Sequence, residues 1–473
     1  MVNKIDNKQL IHSQQLSENE LGWLKLEELK SLGTIKNKIK LSHFQYERIL
    51  NSYEELIDVL ERGKNPIYGV HTSYGENARN KIDPAQWENT QRDLFSFLHV
   101  GIGDHLPEAV VRRALRLQIK KLSLGLSGVH PDSLADLLAL SDDKKLPKVP
   151  SQGSLGASGD LISMAHAIAP LLNRIPRGPR DVICMVNTNS MMSSLAIENI
   201  SELKKLMDFS YLNIALVAKS TKTPTNCFLG KGLEVGNVPK SYANAGRKIL
   251  NKYNSLLSNK NNKKSSTIQP RYSIRCSPQI MGNCEDLLDF SMKKIIEEAV
   301  AIADNPLIIN SEGEYDAEVW HGGLFYASGI ATAGDMMVDI INKIAEMLDR
   351  QNLILMSSHL NSGLPDNLNI QGAGHLKGIH ILTSSIVQKI KCQSTPGRNL
   401  SFSCEGNNQD LVPCGMTIHN NVSNLLSDLK NVLKCSLFSS LRAYSFLKQN
   451  ELDPDLKLEN WSHFSLDKIG RLV

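Results

Sequence analysis

The amino-acid sequence predicts a mainly α-helical fold built as a bundle of long helices. Two segments, 324–360 and 416–448, carry apolar residues three and four positions apart over more than thirty residues each, which is the period of one helix face. Strand-like patterns are few and short. Because such helices exceed the usual three or four turns, we expect their apolar stripes to bury one another, across subunits as well as within one chain.

Shorter helical patterns precede and separate the long ones, at 46–61, 108–124, 133–140, 161–172 and 291–303. The polar, lysine-rich segment 251–267 has no period, which predicts a solvated loop. No internal repeat or low-complexity linker divides the chain. We place a boundary at residue 200, giving an N-terminal domain, 1–200, and a long-helix bundle domain, 201–473.

Composition and charge exclude several classes of protein. The chain of 473 residues is 41% hydrophobic and 22% charged, and its 53 basic and 49 acidic residues give a net charge of +4. So balanced a charge does not predict nucleic acid or an anionic membrane as the main partner. No apolar run reaches about 18 residues, and the segment MVNKIDNKQLIHSQQ lacks the apolar core of a secretory signal. We therefore expect a cytoplasmic protein with no membrane partner.

The cysteines and histidines predict no metal site. Eight cysteines, at positions 184, 227, 276, 284, 392, 404, 414 and 435, form no Cys-x-x-Cys pair, and no histidines have zinc-site spacing. We interpret the cysteines as reduced thiols buried as small apolar side chains. Metalloprotease, Walker and dinucleotide-binding motifs are also absent from the sequence.

The segment QGSLGASGDLISMA, residues 152–165, places small residues where a helix should begin. One interpretation is structural, with Ser158 and Asp160 as N-cap and first-turn residues. The other is chemical: the amide nitrogen of Gly159 can attack the carbonyl carbon of Ala157, because neither residue obstructs a five-membered ring. Loss of water from that ring, and of the Ser158 hydroxyl as a second water, leaves an exocyclic methylene, an electrophile that no ordinary side chain supplies.

Several separated motifs occur in the order typical of a known family. YGVHTSYG, GSLGASGDL and IQPRYSIRCSPQIMG are followed by DNPLI, HGGLF, SGLP and EGNNQD. In these motifs, over roughly residues 41–441, the chain resembles the histidine and phenylalanine ammonia-lyase family. The resemblance implies a long-helix bundle of the fumarase and ammonia-lyase type, oligomeric as a homotetramer in which each site gathers loops from three chains. It also implies a prosthetic group, 4-methylideneimidazol-5-one (MIO), formed from Ala157, Ser158 and Gly159.

The same resemblance assigns the roles that elimination of ammonia requires, namely a base for a weakly acidic β-proton, an electrophile for the amine and a clamp for the carboxylate. Tyr68 is implied as the base and Tyr272 as a second catalytic tyrosine. Arg275 is implied as the clamp, because a planar guanidinium can hold a carboxylate bidentately. The other residues implied around the MIO and the substrate are Asn187, Gln269, Phe325, Glu405, Asn408 and Gln409, with Glu405 near the substrate amine.

Taken singly, these residues also have structural interpretations. A tyrosine in a glycine-rich loop, such as Tyr68, commonly packs in a turn, and Arg275 alone is typical of a surface ion pair. The amide side chains can cap helices or satisfy buried backbone groups. The common order of the motifs favours the catalytic interpretation for both tyrosines, for Ser158 and for Arg275.

The pair Phe97 and Leu98, in the segment FSFLHVGIG, predicts the substrate. In the family this pair discriminates between substrate rings. Phe-Leu resembles the pair of phenylalanine enzymes, His-Leu that of tyrosine enzymes and Ser-His that of histidine enzymes. Two apolar side chains can enclose a bare phenyl ring without leaving a polar group unpaired. His99, which follows, is interpreted as an ordinary hydrogen-bonded histidine. The expected partner is a small aromatic amino acid, preferably phenylalanine.

Some positions depart from the family pattern and leave alternatives open. His71, Ser73 and Tyr74 replace the usual Asn, Gly and Phe, Leu324 replaces Asn in GGNF, and the region 173–186 is short. The alternatives to a lyase acting on phenylalanine are histidine ammonia-lyase, aromatic amino acid 2,3-aminomutase, and a helical oligomeric scaffold without activity. The time that the acrylate and the amine stay enclosed decides between lyase and aminomutase.

Overall fold

The computed structural model describes residues 26–63, 66–156, 159–228, 230–256, 268–309, 319–448 and 452–469. Across these residues the fold is mainly α-helical, which confirms the predicted class. In chain order the α-helices are α1 (Leu26–Ser31), α2 (His43–Arg62), α3 (Trp87–Leu98), α4 (Glu108–Leu122), α5 (Pro131–Asp142), α6 (Leu161–Ile168), α7 (Asp181–Val186), α8 (Ser190–Ser220), α9 (Gly230–Leu233), α10 (Lys240–Ser255), α11 (Tyr272–Arg275), α12 (Ser277–Val300), α13 (Ser328–Met356), α14 (Lys377–Cys392) and α15 (Gly415–Lys448).

Two small antiparallel sheets accompany the helices. β1 (Ile102–His105) pairs with β2 (Pro150–Gln152), and β3 (Leu307–Ile308) pairs with β4 (Val319–Trp320). The 3-10 turns are Gly75–Arg79, Pro84–Gln86, Ala169–Leu171, Thr225–Phe228, Leu324–Tyr326, Asp366–Leu368, Gly397–Leu400, Pro454–Leu456, Leu458–His463 and Leu466–Lys468. Because β2 ends at Gln152, the first sheet holds the chain where the GSLGASGD segment begins.

The long helices agree with the sequence pattern in part. α15 spans 34 residues, as predicted, whereas α13 begins only at Ser328 because Ala327 has a left-handed φ of 45° after a 3-10 turn. α8, which spans 31 residues, was not predicted. Most residues of α8 are buried, and a helix buried on nearly all sides carries no one-sided apolar stripe.

The lysine-rich segment 251–267 differs from the predicted loop over its first residues. α10 continues to Ser255, and residues 257–267 lie outside the described part of the chain. α10 carries its buried residues at helical spacing, namely Ala243, Ala245, Gly246 and Ile249. That stripe gives the helix a packed face, which the polar composition of its last turn concealed.

Local capping defines both ends of α2. The Oγ of Ser42 accepts a hydrogen bond from the Gln45 amide at 3.2 Å, and the Ser42 amide donates to the Gln45 side chain at 3.0 Å. This reciprocal capping box satisfies two amides at the start of the helix. At the other end, Gly63 takes a left-handed φ of 60°, a conformation that favours glycine.

Contacts between residues divide the chain into two compact units. Unit 1 comprises Met1–Asn199, Ser291–Asp335 and Pro396–Asn420, and unit 2 comprises Ile200–Phe290, Met336–Thr395 and Asn421–Val473. This grouping is discontinuous along the chain, whereas the boundary at residue 200 is a single cut.

In unit 1, an apolar cluster anchors the YGVHTSYG segment. Its buried members are Leu56 and Val59 of α2, Ile67, Val70, and Ile308 of β3. Burying one aliphatic side chain of this size contributes about 1.5–3 kcal/mol. Residues on both sides of Tyr68 therefore hold that part of the chain against the core.

In unit 2, the stripe predicted on α15 is buried. Its members are Val422, Leu425, Leu426, Leu429, Val432, Leu433, Leu437 and Leu441.

One described segment, Leu324–Met356, is long and apolar enough by composition to cross a membrane, and 56% of its most apolar stretch is buried inside the protein. Burial of that kind is typical of a core helix.

The cysteines are unpaired, and their burial varies. Cys184, Cys284, Cys414 and Cys435 are buried, as predicted. Cys392 is exposed, because it lies off the buried stripe of α14, whose members are Ile379, Thr383, Val387 and Ile390. The prediction of buried thiols is therefore wrong at this position.

Candidate active site

Tyr68 lies in a tight loop that is closed by its own hydrogen bonds. The Ile67 amide donates to Nδ1 of His71 at 3.0 Å, and the hydroxyl of Tyr74 donates to the carbonyl oxygen of Gly69 at 3.2 Å. His71 and Tyr74 are two of the positions that depart from the family pattern. Both side chains act here as internal braces of the loop.

The Tyr68 hydroxyl is held by the backbone that follows it. The amide of Gly75 donates a hydrogen bond to the Tyr68 phenolic oxygen at 2.9 Å, and the ring meets that of Tyr74 edge-on at 6.0 Å. Burial raises the pKa of Tyr68, the Gly75 hydrogen bond opposes that rise, and the negative charge of Glu405 adds to it. The hydroxyl is thus oriented and sits in an environment that controls its protonation.

Glu405 lies directly against this loop. A Cβ atom on Gly75 would lie 1.5 Å from the Glu405 Oε1 atom, so a side chain at position 75 would displace the carboxylate. The carboxylate also accepts a hydrogen bond from the Asn408 side chain at 2.9 Å. Glu405 itself has a left-handed φ of 52° at the start of a turn closed by a bridge between Cys404 and Gln409.

These groups line one cavity of about 200 Å³ within unit 1. It brings together seven of the residues implied by the sequence: Tyr68, Phe97, Asn187, Phe325, Glu405, Asn408 and Gln409. Seven further residues line it that the sequence did not single out as site residues, namely Tyr74, Gly75, Ala78, Leu94, Leu161, Ile183 and Asn305. Five of them lie within or directly beside the motifs YGVHTSYG, FSFLHVGIG, GSLGASGDL and DNPLI, which was the available signal, whereas Ala78 and Ile183 lie outside these motifs.

The substrate-reading pair divides between the cavity and the core. Phe97 lines the cavity and is 55% exposed, whereas Leu98 is 5% exposed and is absent from the cavity wall. Leu94, one turn before Phe97 on α3, takes the second apolar position on the wall. Direct contact of Leu98 with a ligand is therefore not supported, because its side chain is already covered by protein. His99 is exposed and stacks on Phe95, with ring centroids 5.2 Å apart.

The GSLGASGD segment leads into Leu161, which lines this cavity. Ala157 and Ser158, two of the three residues implied to form the MIO, lie outside the described residues. Gly156 and Gly159 flank them, form an antiparallel bridge and have φ values of 78° and 73°. A Cβ on Gly159 would lie 2.2 Å from the Thr188 carbonyl oxygen. A side chain at position 159 would therefore displace the Thr188 backbone.

A buried carboxylate follows the turn. Asp160 donates its amide to the Thr188 carbonyl oxygen at 2.5 Å, and its Oδ2 accepts from the Met192 amide at 2.8 Å. Burial raises the pKa of Asp160 and lowers the pKa of the equally buried Lys121, and the attraction between the two opposite charges counters both shifts. Leu161, the next residue, lines the cavity. The turn is therefore fixed from its C-terminal side.

The remaining three residues implied by the sequence lie in unit 2. Gln269, Tyr272 and Arg275 line a separate open cleft of about 550 Å³. The Arg275 guanidinium lies over the Tyr272 ring, 4.9 Å from its centroid, and Tyr272 is 72% exposed. Within one chain, the two implied catalytic tyrosines thus line different cavities.

Metal ligation has no support in the part of the chain that the structure describes. No group of three or more His, Cys, Asp or Glu side chains there is arranged to hold a metal ion.

Comparison with known proteins shows the family. The model of the family described as "Aromatic amino acid lyase" matches residues 24–176 and 172–462. Among curated relatives, the histidine ammonia-lyase of Burkholderia multivorans is 26% identical over 462 residues, covering 92% of this chain and 89% of the relative. That of Idiomarina loihiensis is 24% identical over 457 residues, covering 91% and 88%.

Solved structures share the fold. The phenylalanine aminomutase of Pantoea agglomerans superposes with a TM-score of 0.83 at 22% identity, covering 95% of this chain and 93% of that one. The histidine ammonia-lyase of Trypanosoma cruzi gives a TM-score of 0.77 at 20% identity, covering 93% and 86%. With a family model that matches most of its length, this chain belongs to the aromatic amino acid lyases and is an enzyme of the ammonia-lyase type.

Proposed function

We propose that the protein eliminates ammonia from an aromatic L-amino acid, preferably phenylalanine, to give the aryl acrylate. The observation that carries the proposal is the cavity in unit 1, which is lined by Tyr68 and Glu405 together with Phe97 and Phe325. A cavity of about 200 Å³ is smaller than the roughly 300–1,000 Å³ of drug-sized sites. It suits a ligand of single-amino-acid size.

Tyr68 is suited to remove the β-proton. Its phenolic oxygen accepts a hydrogen bond from the Gly75 amide, and a donor aimed at that oxygen stabilises the phenolate, which is the form a base needs. The oxygen keeps a further lone pair for the substrate proton. The Glu405 carboxylate, fixed by Asn408, carries the charge that attracts an ammonium group.

The described residues on either side of positions 157 and 158 support formation of an MIO there, because Gly156 and Gly159 have positive φ and position 159 excludes a side chain. Asp160 and Thr188 would hold the group through the hydrogen bond from the Asp160 amide to the Thr188 carbonyl oxygen. When formed, the MIO supplies an electrophile that activates the substrate amine for departure. Asn187, whose side chain lines the cavity, lies next to the Thr188 anchor.

The apolar wall favours a bare phenyl ring. Leu94, Phe97, Leu161 and Ile183 contribute apolar surface to the cavity. A hydroxyl placed against such a wall without a partner loses its hydrogen bonds to water, at a cost of about 1–3 kcal/mol. Phenylalanine is for this reason the preferred substrate in our proposal, ahead of tyrosine.

We also propose that more than one copy of the chain builds each site. Arg275, Tyr272 and Gln269 line a cleft in unit 2, separate from the cavity that holds Tyr68. A lyase site needs both sets of residues around one substrate. We propose a homotetramer in which these residues reach the substrate from a different chain than Tyr68 does.

Product analysis tests the proposal. The purified protein is incubated with L-phenylalanine, L-tyrosine and L-histidine, and ammonia, aryl acrylate and β-amino acid are quantified separately. We expect ammonia and cinnamate in equal amounts from phenylalanine. A β-amino acid as the main product would assign an aminomutase, and a preference for histidine would overturn the substrate assignment. Absence of any product, with no near-ultraviolet change on adding a thiol or cyanide, would favour an inactive scaffold.

A further inference from the structure

The amide of Tyr68 is held by a residue outside its own loop. Its N–H donates a hydrogen bond to Nε2 of His321 at 3.2 Å. The amides on either side, those of Ile67 and Gly69, bond instead to side chains within the loop. His321 therefore ties the backbone of residue 68 to the turn that follows β4.

A buried ion pair supports the turn that carries His321. Arg180 is completely buried, and its guanidinium lies 3.3 Å from the carboxylate of Asp304. The other carboxylate oxygen of Asp304 accepts a hydrogen bond from the Asn305 amide at 2.7 Å. Since an unpaired buried charge is costly, Arg180 and Asp304 strongly favour this arrangement.

Asn305 continues the chain of contacts to His321. Its side-chain oxygen accepts a hydrogen bond from the Gly322 amide at 2.9 Å, so the residue directly after His321 is also held in place. Asn305 also lines the cavity. The DNPLI and HGGLF motifs are thus joined to each other here, and His321 joins both to the tyrosine loop.

The electrostatic environment keeps the His321 ring able to accept the hydrogen bond from Tyr68. Nε2 can accept the Tyr68 N–H only while it carries no proton. Partial burial lowers the pKa of His321, and the positive charge of Arg180 lowers it further. Arg180 thus has two effects: it helps to position the turn that carries His321, and it favours the neutral form of the His321 ring.

We propose that His321 is a positioning residue for Tyr68, with Arg180, Asp304 and Asn305 holding His321 in place. The inference rests on the proposed role of Tyr68 as the base. Proton abstraction needs the phenolic oxygen at contact distance from the β-carbon, and a displacement of about 1 Å can cost about a hundredfold in rate. The hydrogen bond at the Tyr68 amide affects the position of the Tyr68 side chain. Binding of the substrate depends instead on the residues that line the cavity and on the carboxylate clamp.

The test compares two substitutions at one position with a matched control. His321→Leu removes the acceptor, His321→Gln keeps a side-chain oxygen that can accept, and His375→Leu removes an exposed histidine elsewhere. For each we measure kcat and KM with phenylalanine, and hydrogen–deuterium exchange of the peptide covering residues 66–75. The exchange measurement needs no substrate, so it reports directly on the hydrogen bond between the Tyr68 amide and His321.

We expect His321→Leu to lower kcat by about tenfold to a hundredfold, with KM changed by less than about threefold, and to speed exchange in residues 66–75. His321→Gln should recover most of the rate and protection, and His375→Leu should match the wild type. The proposal is overturned if His321→Leu leaves kcat and exchange unchanged, or if Gln is as damaging as Leu. A wild type inactive on every amino acid tested refutes the proposed function separately, and exchange alone then decides whether His321 holds residue 68.

Discussion

The Gly75 amide donates a 2.9 Å hydrogen bond to the phenolic oxygen of Tyr68. This contact stabilises the phenolate and so lowers the pKa of Tyr68, whereas burial and the charge of Glu405 raise it. Burial is the largest of these effects, and the pKa of Tyr68 stays above the ordinary value. A base with a raised pKa reaches its active form only as pH rises.

The first prediction follows from that balance. In Glu405→Gln, the negative charge beside Tyr68 is gone, so the pKa of Tyr68 falls and the rise of kcat/KM with pH should move to lower pH. The profile is measured with phenylalanine. Glu76→Gln is the matched control, because the Glu76 carboxylate packs against Gly406 on the neighbouring turn. A midpoint that stays in place in Glu405→Gln would contradict the assignment of Tyr68 as the titrating base.

The second prediction concerns the prosthetic group. Ser158→Ala has no hydroxyl to lose, so the methylene cannot form. The variant should fold and assemble as the wild type does, lose its near-ultraviolet response to cyanide, and fall at least about a thousandfold in kcat. Retention of a substantial fraction of the wild-type rate would exclude MIO chemistry.

The third prediction tests whether a site is shared between chains. Tyr68→Phe and Arg275→Ala should each be nearly inactive alone. If the two residues reach one substrate from different subunits, mixed assemblies of the two variants contain some intact sites, and activity should reappear after co-refolding. Analytical ultracentrifugation provides the independent check, where a sole monomeric species would rule out a shared site.

The fourth prediction concerns the ring pocket. With Phe97 on the cavity wall, phenylalanine should exceed tyrosine in kcat/KM by about fivefold to a hundredfold, equivalent to about 1–3 kcal/mol. Phe97→His offers the tyrosine hydroxyl a partner and should shift the ratio toward tyrosine, while weakening phenylalanine through lost aromatic contact. Kinetics on both amino acids, with histidine as a third substrate, decide the matter. An unchanged ratio would mean that Phe97 does not contact the ring.

The fifth prediction concerns the bend at Gly159. Gly159→Ala places a methyl group 2.2 Å from the Thr188 carbonyl oxygen, so we expect a loss of about 1–3 kcal/mol in the free energy of unfolding. Gly63→Ala has a similar positive φ but open space around its Cβ, and isolates the conformational cost. Thermal unfolding measures both. Equal destabilisation in the two variants would show that the contact with Thr188 relaxes.

Local signals in the sequence determined one of the long helices, the family and half of the candidate site residues. The apolar period of residues 416–448 predicted α15 nearly to the residue, because a one-sided stripe is a local property of the chain. The order of the motifs indicated the family, and seven of the residues they implied line one cavity. α8 was missed for the opposite reason, since burial on most of its sides leaves no stripe to detect.

Tertiary structure alone decided which residues meet. From the sequence, Phe97 and Leu98 are both predicted to enclose the substrate ring. Packing leaves Phe97 on the cavity wall and covers Leu98 with protein. Nothing in the spacing of Tyr68 and His321 indicates that the amide of one meets the ring of the other across 253 positions. Tyr68 and Arg275 likewise line different cavities, the first within unit 1 and the second within unit 2. Such contacts depend on how distant segments pack, a global property that no local pattern records.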